Sequence, residues 1–279
     1  MKKFGSIVFT VLLIAGCESL DLPEGGSSQL VVVEGWLTDQ LETHHVSLSL
    51  SSSFTSKEDK PVIDNANVFV LRLTPTSNAY PYDHIGGGVY ESKEPFAAEI
   101  NATYQLIVEL EDGTLIRSNI QSINDLSQID SLYTGTIERE NEEDPDILDT
   151  YYYPIVTTSD SPIQDNYYRW TISRNDTLLI GTKNLEILSD QFFDGNTINH
   201  ELTGFEFDLD DFMMIEQQQL SSEVFNFLQL VKEQTTLLGT VNSTSPASIE
   251  GNLSFSNKDE TILGYWGVIS IDRDTLTVR

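Results

Sequence analysis

Polar and apolar residues alternate along much of this chain. Val46, Leu48 and Leu50 are interleaved with Ser47, Ser49 and Ser51, and Tyr104, Leu106, Val108 and Leu110 follow the same spacing. A period of two sends successive side chains to opposite faces of a strand, so both segments read as half-buried strands. Gln29–Leu37 is apolar almost throughout and reads as a mostly buried strand, and Asn67–Leu73 and Ser131–Ile137 add two more to the first half. Glu111-Asp112-Gly113 stands between Thr103–Leu110 and Thr114–Ile120. An Asp-Gly pair between two such runs predicts a β-hairpin. In the second half the candidate strands are Tyr151–Thr158, Asn166–Arg174, Thr177–Thr182, Gly204–Leu209, Ser248–Phe255, Ile262–Asp272 and Thr275–Arg279, with Arg273-Asp274 as a turn.

One segment has a helical period instead. In Ser221–Gln234, Val224, Phe227, Leu228 and Val231 fall on one face. Ser221 or Ser222 can cap its start, and Glu223 in the first turn and Lys232 in the last suit the helix dipole. Glu138–Asp149 is a dense acidic run with one proline, which reads as a linker or long loop because like charges repel and stay solvated. The pattern therefore predicts a mainly β protein of two β-sandwich-like units. The first, 29–137, is immunoglobulin-like by strand count and turn spacing. An acidic linker or loop at 138–150 leads to a second β domain, 151–279, carrying the amphipathic helix at 221–234.

The N-terminus has a different character. Lys2 and Lys3 precede an apolar run from Ile7 to Ile14, the layout of a secretory signal peptide over 1–16. The run falls short of the roughly 20 residues that a membrane-spanning helix needs. It ends in Leu13-Ile14-Ala15-Gly16-Cys17, which resembles the bacterial lipobox and implies lipid on Cys17. Residues 17–28 then form a lipidated tether. At about 0.8 kcal/mol per buried CH₂, two or three acyl chains anchor firmly. Cys17 is the one cysteine, so its acylation leaves no thiol for disulfides, zinc sites or nucleophilic catalysis. Glu18 and Asp21, close behind it, resemble the surface-export signals of Bacteroidota lipoproteins.

Charge narrows the partners. The chain has 15 basic and 44 acidic residues; without Lys2 and Lys3 the balance is 13 against 44, a net −31. Nucleic-acid binding draws its affinity from Lys and Arg on phosphates, so no nucleic acid is expected. Adhesion to anionic lipid is disfavoured for the same reason, which leaves the N-terminal lipid as the contact with the membrane.

Known catalytic patterns are absent. The four histidines, His44, His45, His84 and His200, form no H-E-x-x-H or H-x-H pattern, and no metal site, cofactor or catalytic residue is expected. Adjacent His44 and His45 would face opposite sides of a strand. Asp208, Asp210 and Asp211 cluster without the glycine of an EF-hand loop. Tyr151, Tyr153, Tyr167 and Tyr168, with Tyr152, are candidates for an aromatic ligand-binding platform; alternating tyrosines also commonly put one face into a core. Asp130-Ser131-Leu132, Asp176-Thr177-Leu178 and Asp274-Thr275-Leu276 resemble bacterial O-glycosylation sites, which makes Ser131, Thr177 and Thr275 candidates for modification.

Several segments recur in a recognisable order: the lipobox cysteine, Leu22-Pro23, Leu30-Val31-Val32-Val33-Glu34-Gly35-Trp36-Leu37, Ser189–Gly195, the Ser221–Gln234 helix, Ser245–Asn252, and Leu263-Gly264-Tyr265-Trp266-Gly267. In that order they resemble the Bacteroidota lipoprotein family catalogued as domain of unknown function 4249, over nearly the whole chain after the signal peptide. The resemblance implies genes placed beside TonB-dependent outer-membrane receptors and assigns no catalytic residues. The glycines of these motifs suit turns or close backbone approach, and Trp36, Tyr265 and Trp266 suit core packing.

The expectation is a non-enzymatic lipoprotein of the outer membrane, facing the cell surface, that acts as an accessory subunit of a TonB-dependent transporter or similar machine. The alternative is a surface module that captures peptide or glycan for uptake.

Overall fold

The computed structural model describes residues 29–52, 60–123, 127–144, 146–159, 165–181, 184–191, 195–237 and 249–279. Cys17, the signal segment and the tether lie outside the described residues. Among those residues 17 strands and one helix make a mainly β protein with sandwich-like sheets.

The first unit grows from the alternating segments. β1 (Val31–Thr38), β2 (His45–Leu50), β3 (Ala66–Thr74), β4 (Asn78–Gly86), β5 (Val89–Ser92), β6 (Thr103–Leu110) and β7 (Leu115–Ser118) lie side by side in the order β1-β2-β5-β4-β3-β6-β7. β8 (Gln121–Ser122) pairs with β6. Val33, Leu37, Val46, Leu48, Tyr104 and Leu106 enter one core. The expected hairpin forms between β6 and β7, with Gly113 at φ 80° in the turn.

The far end of the chain completes this unit, which the sequence pattern did not anticipate. β16 (Leu253–Phe255) pairs with β7, and β17 (Leu263–Thr277) runs parallel to β1 from Val32↔Leu263 to Thr38↔Ile269. The Asn252 side chain joins these late strands. Its amide donates to the Trp266 carbonyl at 2.7 Å and its carbonyl accepts from Trp266 N–H at 3.1 Å. Gly251 and Gly264 pass so closely that a Cβ on Gly251 would lie 1.7 Å from the Gly264 oxygen, and Gly264 is at φ 89°. Only glycine fits there.

Past Ile269, β17 changes partner and runs antiparallel to β15 (Phe212–Leu220) as far as Phe212↔Thr277. Arg273-Asp274 is therefore strand and not a turn: the two residues oppose Glu216 and Ile215, and Arg273 Nε donates to Glu216 at 2.8 Å. One strand thus serves both units, and 253–269, expected in the second, are built into the sheet of the first.

The second unit sets two sheets face to face. In one, β11 (Tyr167–Arg174) pairs with β15, β12 (Thr177–Leu178) and β13 (Glu186–Ser189). In the other, three strands run in the order β14 (Thr197–Glu201), β10 (Leu148–Ser159), β9 (Ile129–Glu140). Val156, Tyr168, Trp170, Phe207, Met213 and Ile215 fill the space between them. The expected strand at Gly204–Leu209 reduces to a bridge between Phe207 and Tyr152.

Of the two readings of 138–150, linker or loop, the loop holds, and it is short. β9 and β10 stay paired to Glu140↔Leu148, and Asn141 N–H donates to the Ile147 carbonyl in the turn. Arg139 donates to Glu206 at 2.7 and 3.0 Å, and Asn141 Oδ1 accepts from the Glu143 and Asp144 N–H groups. Asp149 accepts from the Asn141 amide at 2.8 Å and the other carboxylates of the run are exposed, so the charge density does not prevent pairing. β9 therefore belongs to the second unit and not to 29–137.

β15 escapes a simple reading because three glutamines occupy it. Gln217 is fully buried: its amide donates to the Ser127 carbonyl at 2.6 Å and Thr158 Oγ1 at 3.2 Å, and its carbonyl accepts from Trp170 Nε1 at 3.0 Å. Gln219 accepts from Ser127 N–H at 2.8 Å and donates to Asn166. This polar seam ties the two sheets together.

The helix, α1 (Ser222–Leu237), runs three residues past the expected end, so Lys232 is not in its last turn. Ser221 Oγ caps it by accepting from Val224 N–H at 3.2 Å. Val224 and Leu228 are buried against Tyr265, Ile269 and Ile271 of β17, with Trp36 of β1 at the edge. Each such side chain contributes about 1.5–3 kcal/mol. The helix covers the sheet where the units meet.

Candidate interaction surface

Strand register sorts the five candidate tyrosines. Tyr168 is fully buried, its hydroxyl 3.0 Å from Ser127 Oγ and its ring stacked on Trp170. Tyr167, on the opposite face of β11, packs against Phe225 of α1 with ring centroids 4.9 Å apart. Neither belongs to an open platform, because α1 covers one face of β11 and the facing sheet covers the other. Tyr152 turns inward onto the second core. Tyr151 and Tyr153 remain half-buried on the outer face of the three-stranded sheet.

Their neighbours follow from the pairing. Tyr153 opposes Gly135, Tyr151 opposes Ile137, and Ile155 opposes Tyr133 and Glu201. Directly opposed residues in an antiparallel pair share a face. Tyr133, 44% exposed, thus joins Tyr151 and Tyr153 on one aromatic surface. It was missed as a site residue although its strand was legible, because alternation gives faces and not partners. The Tyr153 ring lies across Gly135, where it covers bare backbone, and its hydroxyl donates to Glu201 at 3.4 Å. Loss of hydration, then the Glu201 charge, raises the Tyr153 phenol above its ordinary value, so it stays a donor near neutral pH. Thr157 donates to Asn199 at 2.8 Å on the same face. The surface offers phenol faces for stacking, hydroxyls for hydrogen bonds and a carboxylate for a cation.

A second feature lies on the first unit. An open groove of about 330 Å³ passes beside Trp36, lined by Glu34, Glu42, His45 and Ser47 among others. His45 Nε2 lies 2.8 Å from Glu91 and Lys60 lies 3.5 Å from Glu34. His44 faces the other way, into the protein, with Nε2 2.7 Å from the Phe96 carbonyl. The adjacent histidines do split across the strand. Among the described residues no group of three His, Cys, Asp or Glu side chains could hold a metal ion. Asp208, Asp210 and Asp211 form a turn in which Asp211 accepts from Asp208 N–H and from Asn175. Ser131, Thr177 and Thr275 are all exposed.

A model of one protein family matches residues 18–275. The chain belongs to DUF4249, a domain of unknown function. The DUF4249 segments noted above are largely structural here: β1, α1, the contacts of Gly251 with Gly264 and of Asn252 with Trp266, and the start of β17 assemble the junction between the units. A search of curated proteins gives no match. Among solved structures, a cytokine receptor complex is 10% identical with a TM-score of 0.26, covering 70% of this chain and 85% of that one. A segment of two fibronectin type-III domains from chicken tenascin is 10% identical with a TM-score of 0.20, covering 69% of this chain and 91% of that one. Superpositions this loose bear on neither site nor activity. Among the described residues no helix is long and apolar enough to cross a membrane.

Proposed function

We propose that the protein is a lipid-anchored, non-enzymatic interaction subunit of the outer membrane, facing the cell surface and serving a TonB-dependent transporter or similar machine. The observation that carries this is the tyrosine face of Tyr133, Tyr151 and Tyr153. It sits on a β-sheet backed by a packed core, and tyrosine combines large contact area with few rotamers, the property that enriches it at protein interfaces. The lipobox at Cys17 supports the membrane location, and Glu18 and Asp21 support the outward face. The test is recovery of a barrel protein with the tagged, lipidated chain from detergent-solubilised membranes. The pair is expected to survive washing and to be lost in a Tyr133→Ala, Tyr153→Ala variant. Repeated recovery of the chain alone would overturn the reading.

A second reading, capture of peptide or glycan, is favoured by one feature: Tyr153 lies flat on the sheet with the Glu201 carboxylate at its margin. Sugar rings stack on flat phenols and hydrogen-bond to such groups. Of the five candidate tyrosines, only Tyr151 and Tyr153 remain candidates for it. Titration with glycan and peptide panels separates the readings, since the first predicts no small-ligand response at Tyr153.

A further inference from the structure

The outer edge of the three-stranded sheet is β9. Its partner strand shows where its backbone points. Pro154 gives its carbonyl to Leu202 N–H, and Tyr152 exchanges both backbone bonds with Phe207. Both residues therefore direct their backbone groups away from β9. Their partners on β9 are Thr134 and Thr136. In an antiparallel ladder such pairs are not hydrogen-bonded to one another, so Thr134 and Thr136 point an N–H and a C=O outward. By the same period Leu132, opposite Val156, and Glu138, opposite Thr150, do so too. The strand's start is closed by the Asp272 carboxylate, which accepts from Ile129 N–H at 2.8 Å.

Edges of this kind are commonly blunted by charge, proline or a bulge. Here Ser131–Ile137 has none of these, and its threonines, tyrosine and isoleucine all favour strand. Charge is confined to the flanks: Asp130 at one end, Glu138 and Glu140 at the other, all exposed. Arg139 is engaged by Glu206. An uncharged edge with acidic ends fits one kind of occupant. A second copy of this chain pairing antiparallel about Thr134 would set Asp130 against Glu138, and like charges opposite one another destabilise a ladder. The net charge of −29 adds to that repulsion.

We propose that the edge of β9 from Leu132 to Glu138 binds an extended segment of a partner protein by strand addition, the segment having a β-forming centre and lysine or arginine at both ends. Backbone bonds from Thr134 and Thr136 hold it, and the acidic flanks set its register. This deepens the reading as an interaction subunit and rests on it.

The probe is a synthetic peptide, Lys-Lys-Val-Thr-Val-Thr-Val-Thr-Lys-Lys, titrated against the full lipidated chain in neutral detergent. A version with glutamate in place of lysine is the control. The basic peptide is expected to bind saturably, to slow amide exchange over Leu132–Glu138 and to weaken with added salt. Thr136→Pro removes an outward N–H that β10 does not use, so the ladder stays intact. It is expected to weaken binding by about tenfold or more at unchanged melting temperature, while Thr136→Val, which keeps the N–H, stays within about twofold. Equal binding by the proline variant, equal binding of the glutamate peptide, protection elsewhere, no saturable binding, or a homodimer through this edge would each overturn the proposal. Should the proline variant unfold, exchange protection in the parent chain decides. Peptide binding without any barrel partner in the pull-down would remove the transporter reading alone.

Discussion

The phenol ring of Tyr153 occupies the space a side chain at Gly135 would need: a Cβ there would lie 2.3 Å from Tyr153 Cζ. The two face each other across β9 and β10. The glycine lets the aromatic ring lie down on the sheet, and the ring in turn covers backbone that glycine leaves bare. Gly135→Ala should lift Tyr153 from the sheet and separate its hydroxyl from Glu201, and because the ring end can swing into solvent the cost in stability should stay within about 1 kcal/mol. Denaturant melts measure the loss and the tyrosine near-ultraviolet signal reports the ring. An unchanged melt with an unchanged signal would show that the contact is loose.

The polar seam around Gln217 makes a different demand. Gln217→Leu keeps the volume but strands the Trp170 indole N–H and the Ser127 carbonyl. Each buried group left unpaired costs about 1–3 kcal/mol, so a total near 3 kcal/mol is expected. The denaturation midpoint should fall with little change in slope. A cost below about 1 kcal/mol would mean that water replaces the amide.

His44 gives the protein a pH dependence. Burial is the main cause that holds its imidazole below the ordinary value of 6.5, ahead of the opposing hydrogen bond to Phe96. The unfolded chain therefore takes up the proton first as pH falls. The contribution of neutral His44 is fully present above about pH 6.5 and is lost as pH drops through the lower folded value. Melting temperatures of the parent and His44→Gln, followed from about pH 8 to 5, should converge toward the acid end. Parallel curves would remove His44 as the cause.

The proposed membrane attachment would rest on one atom, the sulfur of Cys17. Cys17→Ser should leave the signal segment uncleaved or the mature chain without lipid, and so shift intact mass and detergent partitioning. One acyl chain gives only marginal membrane binding and two or more hold firmly, so the wild-type mass should show at least two. A wild-type mass without lipid would refute the anchor.

The reading of Tyr151, Tyr153, Tyr167 and Tyr168 as one group shows where local pattern stops. All four stand on segments that are strands, and each alternates as a strand requires. Their fates differ because α1 packs on one face of β11 while a second sheet packs on the other, and β10 has only one face covered. Nothing within a few residues of Tyr167 announces a helix more than fifty residues later. Tyr133 was equally hidden: its place beside Tyr153 depends on how β9 and β10 register.

Local sequence determined the strand-rich character, the Gly113 hairpin, the helix capped by Ser221 and the family, because turn chemistry, capping and periodicity act over a few residues. Tertiary structure decided what those elements join. The acidic run at 138–150 reads from its charge as a linker or a loop; the tertiary structure makes it the tip of a hairpin, held by Arg139, Asn141 and the ladder to β10. β17 divides its length between β1, far from it in sequence (Val32 pairs with Leu263), and β15, much nearer (Gln219 pairs with Ser270). Period two says that a strand has two unlike faces; which partner lies beside it, and which face meets water, is settled only when distant apolar surfaces are buried together.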